Sequence, residues 1–308
     1  MARRLTITPI DGREGVRAFF DTQAADYREA HGDEARLLRH RLSIIRQHAR
    51  FAPDAAVLEI GCGDGRHLFG IGADIGRSVG IDLSPRMIEA ARAKLKRSPS
   101  RGKLTFQVDA AAELTSLASG AFDVVFCVGA LEHMLDHAAV CRSVWRVLRP
   151  GGRFVCLTIN GGHVWYRKFA PLLGIEMRRL STDHFLTRTE LVRLLQEAGF
   201  REVRSDAWTF VQRGDIPRFW AAALGIADTI GRLIRTTSLR GGLVIGACKE
   251  SCAGLASDEQ LVAHEAPPVE ALQRETAEQG IGHEAGPGQR QGSADGGEQS
   301  GASIQLSR

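Results

Sequence analysis

The sequence predicts an α/β fold: a three-layer, doubly wound, seven-stranded and mostly parallel sheet with helices on both faces. Three observations carry this. The apolar run Val57-Leu58-Glu59-Ile60 drops into a turn with glycines at alternate positions, Gly61, Gly63 and Gly65. The next apolar run, Ser78-Val79-Gly80-Ile81, is closed by Asp82. Together these read strand, glycine turn, helix, strand, acid, the layout of a nucleotide-binding βαβ unit. Short apolar runs then alternate with helical segments as far as Cys248. Such alternation places ligand at the C-terminal ends of parallel strands.

The elements follow in order. Residues 13–48 form a helical lead whose apolar members are Phe19, Phe20, Tyr27, Leu37, Leu38, Leu42 and Ile45. Val57–Ile60 is strand one, and Gly65–Ala73 opens the first core helix. Val79–Ile81 is strand two. Ser84 caps the following helix with Pro85 at its first position, a strong start signal. Leu104–Val108 and Phe122–Cys127 are strands three and four. Ala138–Leu148 is a helix, stopped by Pro150-Gly151-Gly152. Arg153–Ile159 is strand five. Thr187 and Glu190 make a capping box before the helix Leu191–Ala198. Val203–Phe210 and Leu243–Cys248 are strands six and seven.

The glycine turn also says which nucleotide to expect. Glycine lets backbone approach a ligand where a Cβ would collide. The dinucleotide pattern G-x-G-x-x-G seats a pyrophosphate on the helix N-terminus. Here Arg66 stands where the third glycine would be, and Glu59 stands two residues before the first. A carboxylate there repels pyrophosphate and welcomes a cation such as an amine or sulfonium. An acid closing the second strand suits a ribose diol, because a carboxylate accepts from two hydroxyls. The residues therefore describe a nucleoside with a positive tail and no phosphate.

The turn resembles motif I of the class I S-adenosylmethionine (SAM)-dependent methyltransferases. Further matches follow in order: Gly80-Ile81-Asp82-Leu83-Ser84-Pro85, Gln107-Val108-Asp109-Ala110, Phe122-Asp123-Val124-Val125-Phe126, Leu131-Glu132-His133 and Leu148-Arg149-Pro150-Gly151-Gly152-Arg153-Phe154. The resemblance covers roughly residues 15–249. It is nearest to the broad group that holds the ubiquinone- and menaquinone-pathway enzymes. It implies seven strands with the last inserted antiparallel, SAM as cofactor, and methyl transfer to oxygen or carbon of a small apolar metabolite.

Site residues follow from the resemblance, motif by motif. Glu59, Gly61, Cys62 and Gly63 line the methionine end of the cofactor. Asp82 holds the ribose hydroxyls, with Leu83 against the adenine. Asp109 accepts from the adenine amine and Ala110 offers its backbone N–H. Cys127 and Val128, at the end of strand four, back the sulfur. His133 is the candidate catalytic base, since a hydroxyl acceptor must lose a proton; the alternative is a wall of the cofactor pocket. Some relatives in this group carry E-x-x-E-H here and bind a divalent metal. In this chain Gly129 replaces the first acid, so no metal is expected. Methyl transfer from a sulfonium needs alignment rather than a protein nucleophile, and no Ser-His-Asp or Cys-His set is visible.

Two insertions, 161–186 and 212–241, lie outside the common core, and insertions at strand ends usually build the substrate pocket. They supply the acceptor-side candidates His163, Trp165, Tyr166, His184 and Phe219, joined by Tyr27 as a lid residue of the N-terminal lead, residues 1–50. For the second insertion, a substrate cap, core packing and contact with a membrane surface all stay open.

Bulk properties bound the rest. Residues 251–308 are rich in Gly, Ala, Gln, Glu and Ser and cannot bury enough apolar area to offset ordering. They read as a disordered tail. Nine acids and three arginines give this tail −6, which leaves +10 on residues 1–250. A basic body suits an anionic substrate, a membrane surface or nucleic acid, or only solvated arginine-rich helices. No secretory signal and no run long enough to span a membrane occurs. The six cysteines include no CxxC pair and read as small buried thiols of a cytoplasmic protein. An RNA methyltransferase is a weaker fit, because strand four is followed by Val128-Gly129-Ala130-Leu131-Glu132-His133 rather than an Asn/Asp-Pro-Pro-aromatic set. A non-catalytic SAM-binding partner protein is the remaining alternative. Nothing in the sequence speaks to oligomeric state.

Overall fold

The computed structural model describes residues 7–24, 34–72, 74–99, 103–174, 176, 178–208, 218–234 and 236–249. Tyr27 and the expected tail, 251–308, lie outside the described residues. Seven strands form one sheet: β1 (Ala56–Ile60), β2 (Arg77–Asp82), β3 (Leu104–Val108), β4 (Phe122–Val128), β5 (Leu148–Ile159), β6 (Arg201–Trp208) and β7 (Gly242–Cys248). Their order is β3-β2-β1-β4-β5-β7-β6. The first five run parallel, and β7 is antiparallel to both β5 and β6. This is the doubly wound sheet expected, with the chain reversing its direction of build between β1 and β4. Ligands bind at such a switch point.

The helical lead forms two helices, α1 (Gly12–Gln23) and α2 (Glu34–Ala49). The core helices are α3 (Arg66–Ile71), α4 (Pro85–Leu95), α5 (His137–Val147) and, after the first insertion, α7 (Arg188–Glu197). Between α5 and α7 the insertion makes one wide turn, Trp165–Phe169, that runs into a short α6, Ala170–Leu172. The second insertion holds α8, Arg218–Leu233.

The caps are those the local chemistry dictates. Ser84 Oγ accepts from Met87 N at 3.1 Å, ahead of Pro85. Thr187 Oγ1 accepts from Glu190 N while Glu190 Oε2 accepts from Thr187 N at 2.7 Å, the full capping box. Asp136 caps α5 through Ala139 N at 2.8 Å.

Strand five starts earlier than the sequence suggested. α5 ends at Val147, but Leu148 already pairs with Phe122, and Pro150-Gly151-Gly152 lies inside β5. A register shift between Phe122 and Val124 absorbs the extra residues. It explains why Phe122 shares a face with Val125 and Cys127, against strict alternation.

The core has two layers, one on each face of the sheet. Leu58, Val125, Phe154 and Ile245 pack with Val144 and Leu191 of α5 and α7. Val57, Phe126, Val155 and Leu157 pack with Ile45, Leu68 and Ile88 of α2, α3 and α4. β1, β4 and β5 are thus covered on both faces, which fixes their C-terminal ends rigidly. Cys248, expected as a buried thiol, is instead disulfide-bonded.

Candidate functional site

A cavity of about 270 Å³ opens at the C-terminal ends of the parallel strands. Its floor is the glycine turn. Gly61 has φ +67°, and a Cβ there would meet the Ala130 Cβ at 2.5 Å. Gly65, which starts α3, has φ +79°, and a Cβ would lie 2.6 Å from the Phe106 ring. Both positions need glycine for conformation and for space.

Asp82, at the end of β2, holds the turn in place. One carboxylate oxygen accepts from Gly63 N at 2.8 Å and the other from Ser84 N at 2.9 Å. Burial pushes its carboxyl above the usual range, against the pull of those two N–H donors. A carboxylate has about four acceptor positions. Main-chain N–H groups occupy only part of that capacity, and Asp82 lines a cavity also lined by Ile81, Leu83, Met87 and Val140. A carboxylate acceptor beside apolar walls fits a ribose next to its base.

Asp109 and Ala110 also line the cavity. Asp109 accepts from Ala110 N at 2.8 Å and from both the main-chain N and the hydroxyl of Ser116. The Ala110 N–H expected to meet a ligand is therefore already engaged by its neighbour.

α1 lies across the opening. Arg13 pairs with Glu113 on one side. Asp21 accepts from Ser84 Oγ and from Arg86 N at 3.2 Å on the other. Between them Val16 and Phe20 face the cavity. The segment before α1 is tied down by Thr8, whose N–H donates to Arg179 O at 2.9 Å and whose carbonyl accepts from Ser181 N at 3.0 Å.

The opposite wall carries a His–Asp pair. His133 follows β4 on a single tight turn, Leu131–His133, and its ring meets the Phe20 ring edge-on at 5.1 Å. Its Nδ1 lies 2.6 Å from Asp183 Oδ1. The other Asp183 oxygen accepts from Arg179 N and Leu180 N at 2.9 and 3.0 Å. Burial opposes ionisation of Asp183, but the hydrogen bond and charge of His133, with those two main-chain donors, hold its carboxyl below the usual range. An ionised Asp183 accepts a hydrogen bond from Nδ1–H, which keeps the proton on Nδ1 and leaves the Nε2 lone pair free to accept.

Gly61, Gly63, Asp82, Leu83, Asp109, Ala110 and His133 thus converge on one cavity. The other expected residues do not line it. Glu59 is fully buried, with Oε1 2.7 Å from His67 Nδ1 on α3. Burial pushes its carboxyl well up and the His67 ring well down. The strand's alternation turns Glu59 toward the helix layer, away from the cavity. Cys62 packs into the α3–α4 side of the core, and Cys127 and Val128 are buried within the sheet. Gly129 and Ala130, the next two residues, form that wall instead.

The described acceptor-side candidates also lie outside this cavity's lining. His163 is buried, its Nδ1 accepting from Trp165 N at 3.1 Å and its ring against Tyr166. Trp165 and Tyr166 belong to a small apolar cluster with Ala170, Phe185 and Leu224. His184 is exposed, tilted at 55° against the His137 ring and 3.8 Å from Glu190. Trp165 and Tyr166, packed with Leu224, join the two insertions to each other. Phe219 falls in the first turn of α8, and its side chain lies outside the described part, as does all of Tyr27.

The sequence does not point to Arg13, to Phe20 as a wall or to the run Met134-Leu135-Asp136 after His133, all of which line the cavity, nor to Asp183 and Asp21, which hold His133 and Ser84 from behind that lining. Asp183 neighbours the expected His184 in the first insertion, and only its contact with His133, fifty positions away, distinguishes it. Asp21 gave no local signal, because its partners lie 63 and 65 positions away.

A family model described as a methyltransferase domain matches residues 58–156. The demethylmenaquinone methyltransferase of Symbiobacterium thermophilum is 28% identical over 189 residues, 53% of this chain and 74% of that protein. The ubiquinone biosynthesis O-methyltransferase of Thiobacillus denitrificans is 32% identical over 165 residues, 50% of this chain and 68% of that protein. Two solved structures share the fold. One is phosphoethanolamine N-methyltransferase 2 of Haemonchus contortus in complex with SAM, with TM-score 0.55 and 17% identity, covering 77% of this chain and 60% of that one. The other is a SAM-dependent methyltransferase of Thermotoga maritima, with TM-score 0.52 and 18% identity, covering 76% of this chain and 99% of that one.

Proposed function

This chain belongs to the class I SAM-dependent methyltransferases, and we propose that it methylates a hydroxyl oxygen of a small apolar acceptor, with His133 as the base. The His133–Asp183 pair on the cavity wall is the observation that carries the reading. A hydroxyl is a poor nucleophile until its proton has somewhere to go, and a positioned imidazole typically contributes about a hundredfold or more.

When bound, SAM supplies a methyl group on a sulfonium whose leaving group needs no further activation. The residues present fit it. Asp82 accepts from the ribose hydroxyls with its unused lone pairs. Ile81, Leu83, Met87 and Val140 hold the adenine. Gly61 and Gly63 let the main chain reach the methionine end. α1 keeps water out, through Val16 and Phe20. His133 takes the acceptor's proton on Nε2, while Asp183 keeps Nδ1 protonated and the ring oriented. Glu59 and His67 serve the turn from behind and take no part in the transfer.

The apolar acceptor is supported by the cavity's aliphatic lining and by the two relatives named for menaquinone and ubiquinone biosynthesis. Carbon of such an acceptor is the second reading, supported by the relative named for demethylmenaquinone; a ring carbon activated by a neighbouring hydroxyl gives up its proton to the same base.

Transfer of labelled methyl from SAM into a fractionated cell extract tests this, with Asp82→Ala and His133→Gln beside the natural chain. We expect label in the organic-soluble fraction, absent with Asp82→Ala and strongly reduced with His133→Gln. Label in RNA, or unchanged transfer by His133→Gln, would overturn the reading.

A further inference from the structure

We propose that α8, with the α6 turn beside it, is a docking face for an anionic lipid surface. The argument starts from topology. β5 ends at Ile159 on the cavity side of the sheet, and β6, antiparallel to β7 like β5, ends on that side too. Both insertions therefore emerge at the end of the sheet where the cavity opens.

α8 packs inward by one face only. Leu224 joins Trp165 and Ala170, Asp228 and Gly231 are buried, and Asp228 lies beside Arg240. The opposite face, at helical spacing, is Ile226, Ile230 and Leu233, continued by Ile234. All four are exposed, Leu233 at 74%. The α6 turn, which shares the same small cluster, leaves Leu172 at 81% exposed, with Phe169 and Leu173 also bare. Isolated surface leucines need no explanation, but four bare aliphatic residues along one helix face, with three more bare apolar residues on an element packed against the same helix, mark an interaction surface.

Charge selects the occupant. From Arg218 to Ile234 the only acid is Asp228, which is buried, whereas Arg218 and Arg232 stand near the helix ends. Arg167 and Lys168 are exposed immediately before Phe169, with no acid before Glu176. Bare aliphatic residues flanked by cations are what an interfacial helix presents to acyl chains and anionic headgroups. A second copy of this chain would bring the same cations against one another. The body of the protein, residues 1–250, carries +10. No described helix is long and apolar enough to cross a membrane, so the contact is one of lying on the surface. This inference does not depend on the identity of the methyl acceptor.

Flotation of the full-length chain with vesicles tests it, using phosphatidylcholine alone and phosphatidylcholine with 30% phosphatidylglycerol (about a physiological anionic content). We expect flotation with the anionic vesicles, weakened at least tenfold by 0.5 M salt (a Debye length of roughly 4 Å) and by the double variant Ile226→Glu/Leu233→Glu. SAM affinity, measured by calorimetry, should be the same in the variant, which separates loss of the surface from loss of the fold or of cofactor binding. Absence of flotation by the natural chain would overturn the proposal. So would equal flotation of the variant, or a dimer in solution that the variant dissociates while vesicle binding is nil.

Discussion

Asp183 holds the Nδ1 of His133 at 2.6 Å across fifty positions of sequence. The same Asp183 draws in the main chain of Arg179 and Leu180, and that strip pairs with Thr8 ahead of α1. One carboxylate thus ties the wall of the cavity to the segment that leads into its cover.

Replacing Asp183 by Asn removes the charge that fixes the His133 tautomer while keeping the shape. Turnover should fall by about 10²–10⁴, with SAM affinity unchanged, because the Asp82 side of the cavity is untouched. Single-turnover rates and calorimetry separate the two. Unchanged turnover would make His133 a wall residue.

Asp82→Ala should abolish SAM binding at micromolar concentrations. The structure adds a second expectation, because Asp82 also accepts from Gly63 N and Ser84 N. Leaving those donors unmatched costs about 1–3 kcal/mol, so the variant should melt a few degrees lower yet keep its far-UV circular dichroism. Retained micromolar affinity would contradict the role assigned to Asp82.

Much of this was legible beforehand, and the reasons are local. A glycine turn, an acid closing a strand, Ser84 before Pro85, and Thr187 three residues before Glu190 each act within one or two turns of chain. What escaped depended on contacts between distant segments. Glu59 stands out before the glycine turn, but period two in a strand says which residues share a face, not which face meets the ligand. His163, Trp165 and Tyr166 have the composition of a pocket, yet Trp165 and Tyr166 pack with Leu224 of a helix nearly sixty residues on, and the His163 ring lies against Tyr166. Asp183 carries no local signal beside His184, because only the fold brings His133 to it.

Gly61→Ala should be more damaging to binding than its size suggests. The residue has φ +67°, and the new methyl would sit 2.5 Å from the Ala130 Cβ, which cannot rotate away. Strain and displacement together cost about 1–3 kcal/mol. Because Ala130 is itself a cavity wall, SAM affinity should fall at least tenfold (about 1.4 kcal/mol). An unaltered dissociation constant would mean the turn relaxes freely.

Asp64 gives an acid limb to stability. Burial opposes its ionisation, but hydrogen bonds and charge from Arg66 and Lys94 lower its carboxyl to about 2. A depressed folded value contributes stability above the unfolded value, near 3.9, which is lost as pH falls through the folded one. About 2 kcal/mol should disappear between pH 4 and 2. Urea melts of Asp64→Asn should be flatter over that window, and an identical slope would remove the assignment.

The Glu59–His67 pair makes the opposite limb. Burial first, then the negative charges nearby, push the Glu59 carboxyl well up. The folded state therefore keeps a proton that the unfolded chain releases above about 4.3, so stability falls as pH rises beyond that point. His67 is pushed down by burial first, then by Arg41 and Arg66. The unfolded chain binds its proton below about 6.5, so stability on this account falls as pH drops. Glu59→Gln keeps a hydrogen-bonding partner for His67 and removes only the first dependence. Its melting temperature should exceed that of the natural chain at pH 8, with the gap narrowing toward pH 5, while SAM affinity stays the same. A loss of SAM binding instead would place the Glu59 carboxylate back among the groups that hold the cofactor.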